Sequence, residues 1–335
     1  MVIAHRALRD QMFQSTFMST SDTIVLFDAG AGQDDGKQAQ GGRDFQEDRY
    51  TLIRPEEFPT QTDDKFAFFA VYDGHGTDLV SDHASKKLHL LFAGRPEFQK
   101  GDSAAAINAA LAEEDHLLLE SFKRDSEEPA LSGSTAAVCI LNLTQGELVV
   151  SNLGDSHAIL AERDPKTEHP YHIRRLTQAH KPEEPDERAR IEQAGGQVQM
   201  RSGIPRLGSL NMSRALGDLQ YKNPVNAVQD DLSMQRRRRA SSSSSSAPTV
   251  GDFVSSKPFT SRRSLQADRR YLLVIVSDGV SDRTDDAALI QYVMKLSMRG
   301  MRASAIAQEV ATSSASHPRS DNASCIVVML DGQQS

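Results

Sequence analysis

Seven short apolar runs recur along the chain: Arg49–Arg54, Phe66–Tyr72, Ser134–Leu143, Glu147–Leu153, Ala158–Ala161, Tyr271–Ser277 and Ser324–Leu330. Each is rich in β-branched or aromatic residues and has strand length, so each predicts a β-strand. Ser134–Leu143 and Glu147–Leu153 flank a Thr-Gln-Gly turn, the pattern of a hairpin. The next run follows Gly154-Asp155 at once, which predicts an antiparallel meander rather than helical crossovers. Between these runs the spacing turns helical. Asp102 or Ser103 can cap a helix through Arg124, with Ile107, Leu111, Leu118 and Phe122 on one stripe. Pro185–Ala194 predicts a short helix closed by Gly195-Gly196. Thr284–Met298, ended by Gly300, and Arg302–Ala311 predict two more. With strands clustered mid-chain and helices in pairs, the expected fold is α+β, packed antiparallel sheets with helices outside.

Composition narrows the class. The 335 residues, 38% hydrophobic and 25% charged, suit a soluble globular chain with a large core. Apolar runs such as Phe66–Tyr72 and Tyr271–Val276 are far too short for a membrane span. A net charge of −8 argues against nucleic acid as a partner and fits a chain rich in functional carboxylates. The two cysteines, Cys139 and Cys325, lie inside apolar strands, which predicts buried thiols and an intracellular, cytoplasmic or nuclear setting. Met1–Thr20 has a faint transit-peptide composition, so a mitochondrial address is the alternative; a strand or helix completing the fold is preferred.

One stretch breaks the pattern. Arg236–Arg239 and Ser241–Ser246 are low-complexity, and from Asp230 to Arg270 nine basic residues stand against four acidic ones. The expectation is a single domain over residues 1–335 with a disordered, basic, serine-rich flap insertion around 230–262. Arg238-Arg239-Ala240-Ser241 also fits a basophilic kinase site.

The chemistry lies in acids at strand ends. Glu47-Asp48 opens one strand, Asp73-Gly74-His75-Gly76 follows another, Asp278-Gly279 with Asp282 follows a third, and Asp321-Asn322 precedes a fourth. Such acids can converge on one rim, and hard cations such as Mg²⁺ and Mn²⁺ prefer oxygen ligands.

The run Arg43-Asp44-Phe45-Gln46-Glu47-Asp48 resembles the opening motif of metal-dependent protein phosphatases of the protein phosphatase 2C type. Phe69–Gly76 resembles that family's most recognisable signature. The likeness continues in order through Ser132–Ala136, Asn152–Ser156, His180-Lys181-Pro182, Arg190–Val198, Ser213–Asp218, Ser277–Val280 and Asp321-Asn322. The resemblance implies a four-layer α/β-β/α sandwich with a metal centre at one rim, and phosphoprotein substrates. It implies that Asp73 bridges two Mg²⁺ or Mn²⁺ ions and that Gly74 offers its carbonyl to one. Asp278 and Asp321 would ligate the other, Glu47 and Asp48 would hold waters or ligate directly, and Arg43 would grip the phosphate. Two ions make hydroxide available near neutral pH for in-line attack on phosphorus. His75, the histidine adjacent to the metal acids, suits the general acid for a poor alkoxide leaving group.

This chain departs from the family at Ala179, where an aspartate belonging to a third metal site normally stands with the counterparts of Asp278 and Asp282. The third site is therefore expected to be damaged or absent. Thr77, His157 and Ser281 also replace common family residues. The expected enzyme is a protein serine/threonine phosphatase acting as a monomer. Two other readings use the same residues: a catalytically weak or inactive binding module, supported by Ala179, and a small-molecule phosphoesterase. Retention of Asp48, Asp73, Asp278 and Asp321 favours the enzyme.

Overall fold

A computed structural model describes residues 22–36, 45–60, 62–122, 131–167, 171–222, 251–318 and 320–333. Two five-stranded sheets form its frame. The first has the order β1 (Ile24–Asp34), β15 (Ala323–Gly332), β14 (Arg270–Val276), β8 (His157–Arg163), β9 (His172–Arg175). The second has the order β13 (Phe259–Ser264), β7 (Glu147–Leu153), β6 (Ala136–Asn142), β3 (Phe66–Tyr72), β2 (Arg49–Ile53). A three-stranded ribbon joins β12 (Leu216–Gly217), β5 (Gly133–Ser134) and β4 (Gly74–His75), and β10 (Gln199–Arg201) pairs with β11 (Ile204–Arg206). All these strand pairs are antiparallel. The helices are α1 (Leu79–Ala93), α2 (Pro96–Gln99), α3 (Ser103–Phe122), α4 (Pro185–Gln193), α5 (Asp278–Ser281), α6 (Asp286–Met298) and α7 (Ala303–Ala315).

The pleat explains the layers, because successive side chains on a strand point to opposite faces. On β3, Ala67, Phe69 and Val71 enter the core shared with the other sheet, while Phe66, Phe68, Ala70 and Tyr72 meet α1–α3. On β14, Tyr271, Leu273 and Ile275 enter the shared core, while Leu272, Val274 and Val276 meet α6 and α7. Strands covered on both faces read as continuous apolar runs, which is why they stood out in the sequence. Burying each large apolar side chain contributes about 1.5–3 kcal/mol. The result is the expected α/β-β/α sandwich.

Several expectations need correction. Ser134–Leu143 is two strands, broken where Thr135 N–H turns to donate to the Asp73 carbonyl at 2.9 Å. The hairpin between β6 and β7 forms, but β8 does not continue a meander: it lies in the opposite sheet. The chain crosses between sheets at Gly154, whose φ of +87° a side chain would resist. Strand β1 was not foreseen because Gly30 and Gly32 weaken its apolar pattern. Both are required by packing, since an added Cβ would collide with the α7 backbone at Ser304 and Gln308. Helix α1 was also missed, although Val80, Ala84, Leu88 and Phe92 repeat every fourth residue and are buried.

Of the insertion expected around 230–262, residues up to 250 lie outside the described ones, as do Met1–Thr20. Residues 251–262 are ordered, and β13 extends the second sheet by pairing with β7. Both cysteines are free and buried, as expected, and burial pushes their thiols up. No described helix is long and apolar enough to cross a membrane.

Candidate active site

The predicted acids gather at one rim of the sandwich because the strands carrying them end there. Asp73 leaves β3, with its N–H donating to Thr135 Oγ1 at 3.1 Å and its carbonyl accepting from Ser134 Oγ at 3.2 Å. Glu47 precedes β2; its N–H donates to Asn322 Oδ1 at 2.8 Å, and its carbonyl accepts from Ser81 Oγ at 2.5 Å. Gly74 lies against that carbonyl so closely that a Cβ would collide with it. Asp278 begins α5 directly after β14, and Gly279 lets the Asn322 backbone approach. Asp282 is one turn further on, its N–H donating to the Asp278 carbonyl at 2.8 Å. Asp282 and Asp321 are exposed, whereas Asp48 is buried. Arg43 lies outside the described residues.

Electrostatics tie these groups together. Burial, then Asp278, Asp48 and Asp155, push the Asp73 carboxyl well above the usual range. Burial and Asp155 do the same to Asp278, and burial raises Asp48 despite hydrogen bonds from Ser324 and Ser277, with Asp321 and Glu47 adding to it. Asp282 is raised by burial, against the pull of Lys181. Buried carboxylates crowded in this way must share protons or attract cations. One oxygen of Asp48 and one of Asp155 are buried with no hydrogen-bond partner.

No three acid, histidine or cysteine side chains among the described residues form a closed ligand group. Asp73 and Asp278 instead lie close enough that each bears on the other's proton. The mutual electrostatics and the orphaned oxygens, rather than tight spacing, mark this rim as the candidate site. An all-oxygen set beside a glycine with no room for a side chain fits hard divalent cations.

Two acids that bear on the site were not singled out as site residues in the sequence. Asp155 follows β7 at the Gly154 corner, is fully buried, and pairs one oxygen with Lys181 Nζ. It faces Asp73, Asp278 and Asp282. Its signal was available: it is another acid beside a glycine at a strand end. The segment carrying Ala179 runs alongside, with His180 N–H donating to the Gly154 carbonyl at 3.0 Å. The neighbourhood expected to lack a carboxylate at Ala179 therefore holds one from Asp155.

The second is Asp218, beside His75. His75 Nε2 lies 2.9 and 3.0 Å from the two Asp218 oxygens, and its Nδ1 is buried without a partner. Burial opposes a charged ring, but the Asp218 charge and hydrogen bond outweigh it, so the His75 pKa is raised.

A separate network braces the region next to the site. Glu187 of α4 accepts from Ser213 Oγ at 2.6 Å, Arg190 Nη2 at 3.1 Å and Arg214 Nε at 2.9 Å. His180 Nδ1 accepts from the Gly154 N–H at 3.2 Å, and burial with nearby Arg214 lowers its pKa to about 4.

Comparison with known proteins places the chain in a family. The family model for protein phosphatase 2C matches residues 33–323. A protein phosphatase 2C homolog 2 of Aspergillus flavus is 30% identical over 288 residues, covering 82% of this chain and 58% of that protein. Protein phosphatase 1F of Rattus norvegicus is 36% identical over 169 residues, covering 50% of this chain and 35% of that one. The fold matches the crystal structure of serine-threonine phosphatase 2C from Toxoplasma gondii with a TM-score of 0.69 at 20% identity, covering 93% of this chain and 100% of that one. The chain belongs to the protein phosphatase 2C family. It spans about half the length of the curated relatives it matches.

Proposed function

We propose that this chain is a metal-dependent protein serine/threonine phosphatase that hydrolyses phosphoserine and phosphothreonine directly, with no covalent intermediate on the protein. The observation that carries this reading is the buried set of mutually repelling carboxylates, Asp48, Asp73, Asp155 and Asp278, in which Asp48 and Asp155 each keep an oxygen without a hydrogen-bond partner among the described residues. Both cysteines are buried in strands and carry raised thiol pKa values, which supports a mechanism without a thiolate nucleophile.

Asp73, the Gly74 carbonyl, Asp278 and Asp321 would hold two Mg²⁺ or Mn²⁺ ions. Glu47 and Asp48 would ligate directly or through water. When bound, such ions lower the pKa of water so that hydroxide is available near neutral pH. Asp282 and Asp155 leave carboxylates for a third ion despite Ala179, although Lys181 already neutralises part of Asp155. Arg43 would bind the substrate phosphate through its planar guanidinium. His75 would give its proton to the departing serine or threonine oxygen.

The test is hydrolysis of a phosphoserine peptide with Mn²⁺ and with chelator, alongside nucleotide and sugar phosphates. Turnover of the peptide that requires the metal and exceeds turnover of the small phosphates is expected. Preference for the small phosphates, or no metal-dependent turnover at all, would overturn this reading.

A further inference from the structure

The three-stranded ribbon contributes little to the core, yet its register brings together two side chains 143 residues apart. His75 on β4 faces Gly133 on β5, and Gly133 faces Gly217 on β12, with Asp218 next in the chain. A Cβ at Gly133 would collide with both the Asp218 carboxylate and His75 Nε2, so this position must lack a side chain for the pair to meet.

Asp218 is fully buried and holds a left-handed backbone, φ +52° and ψ +45°, which is unfavourable for a residue with a side chain. Several contacts impose it. The Asp218 N–H donates to the Ser132 carbonyl at 2.8 Å, and its own carbonyl accepts from the Tyr221 N–H at 2.9 Å. Gly217 N–H donates to Asp115 Oδ1 at 2.9 Å. The same oxygen takes buried Lys222 Nζ at 2.6 Å, and that ammonium also donates to the Ala215 carbonyl at 3.0 Å. The loop is thus clamped to α3, and its carboxylate can meet the His75 ring at only one edge.

We propose that Asp218 is a positioning residue for the phosphatase reaction, holding His75 by Nε2 so that Nδ1 is the nitrogen that delivers a proton to the leaving group. This rests on the reading of His75 as the general acid. With Nε2–H committed to the carboxylate, the second proton of the charged ring sits on Nδ1, which no described residue hydrogen-bonds. The balance is simple. A water-derived oxygen forms the new bond to phosphorus, and the bond from phosphorus to the serine oxygen breaks with its electron pair on that oxygen. The oxygen takes the Nδ1 proton, and the ring remains neutral with Nε2–H on Asp218.

The experiment compares His75→Gln, Asp218→Asn and the double variant in the full chain with Mn²⁺, on a phosphoserine peptide and on p-nitrophenyl phosphate. The aryl oxygen leaves readily and needs little proton assistance. Asp218→Asn should lower kcat for the peptide by roughly 10–100-fold, within the range for acid catalysis, and change p-nitrophenyl phosphate less than about 3-fold. The double variant should be no slower than His75→Gln alone. Independently of metal or activity, nitrogen NMR of the imidazole in the wild-type chain should show the Nε2–H tautomer when the ring is neutral. A wild-type Nδ1–H tautomer overturns the proposal even if the variants do not fold. So does an Asp218→Asn loss that is equal on both substrates while His75→Gln remains selective. If His75→Gln itself slows both substrates equally, the general-acid assignment is what fails, and the proposal falls with it.

Discussion

Glu187 and Asp48 are both buried carboxylates in the same domain, yet they experience opposite surroundings. Glu187 is enclosed by Arg190, Arg214 and the Ser213 hydroxyl, and these partners overcome burial to hold its pKa at about 2. For Asp48, burial outweighs two serine hydroxyls, the Asp321 and Glu47 charges add to it, and one oxygen has no partner among the described residues, so its pKa rises to about 7. A carboxylate satisfied by the protein is a structural brace. One left unsatisfied among like charges stores unfavourable energy that a cation can relieve. Burial alone separates the two roles poorly; what surrounds each oxygen separates them well.

Substitutions should break this contrast in opposite directions. The largest effect is expected for Asp73→Asn on phosphopeptide turnover with saturating Mn²⁺. The loss should be at least roughly 10³-fold, in line with the several kcal/mol a metal centre supplies. In the metal-free protein the same change removes one crowded charge, so the melting temperature should hold or rise. A variant with near-normal turnover would remove Asp73 from the centre.

Glu187→Ala should instead destabilise by about 1–3 kcal/mol, the range for removing charge-assisted hydrogen bonds from partners that keep other contacts, as read by denaturant unfolding. An unchanged midpoint would show that Arg190 and Arg214 find other partners.

The pH dependence should carry opposite signs. Asp48 has a folded pKa above its unfolded value, so its ionised form destabilises the metal-free fold at neutral pH, and this penalty fades as pH falls through the folded value. Asp48→Asn should therefore melt above wild type at pH 8, with the gap narrowing below about pH 7 and closing only near pH 4, where the unfolded carboxyl also takes up its proton. For Glu187 the folded pKa is depressed to about 2, so its contribution persists above about pH 4 and is lost as pH falls toward 2. The deficit of Glu187→Gln should stay flat from pH 8 to 5 and shrink only below that. Parallel pH profiles for the two variants would contradict the contrast.

The smallest effect concerns Ala179. With Asp155 beside Asp278 and Asp282, Ala179→Asp should lower the Mn²⁺ concentration for half-maximal activity by only a few-fold, roughly within 1 kcal/mol. Asp155→Asn should raise it by more. A larger gain from Ala179→Asp than loss from Asp155→Asn would return the leading role to position 179.

Much of this protein is written locally. Phe66–Tyr72 and Tyr271–Val276 declare themselves as strands because both faces are buried. Asp73 and Asp278 declare themselves because an acid beside glycine at a strand end is a local pattern, and the ordered motifs place the chain in its family. Other features depend on contacts distant in sequence. β1 is stabilised by pairing with β15 and by the close approach of α7, neither of which its glycines advertise. β8 leaves its sequence neighbour for the opposite sheet. Asp155 and Asp218 acquire their meaning from what tertiary packing places opposite them: the acids Asp73, Asp278 and Asp282 in one case, and the His75 ring across Gly133 in the other. Hydrophobic period and strand-end chemistry are properties of a few adjacent residues, so the sequence alone determined them. The partner of a buried charge is set by sheet register and by which backbones can touch, and only the folded chain decides that.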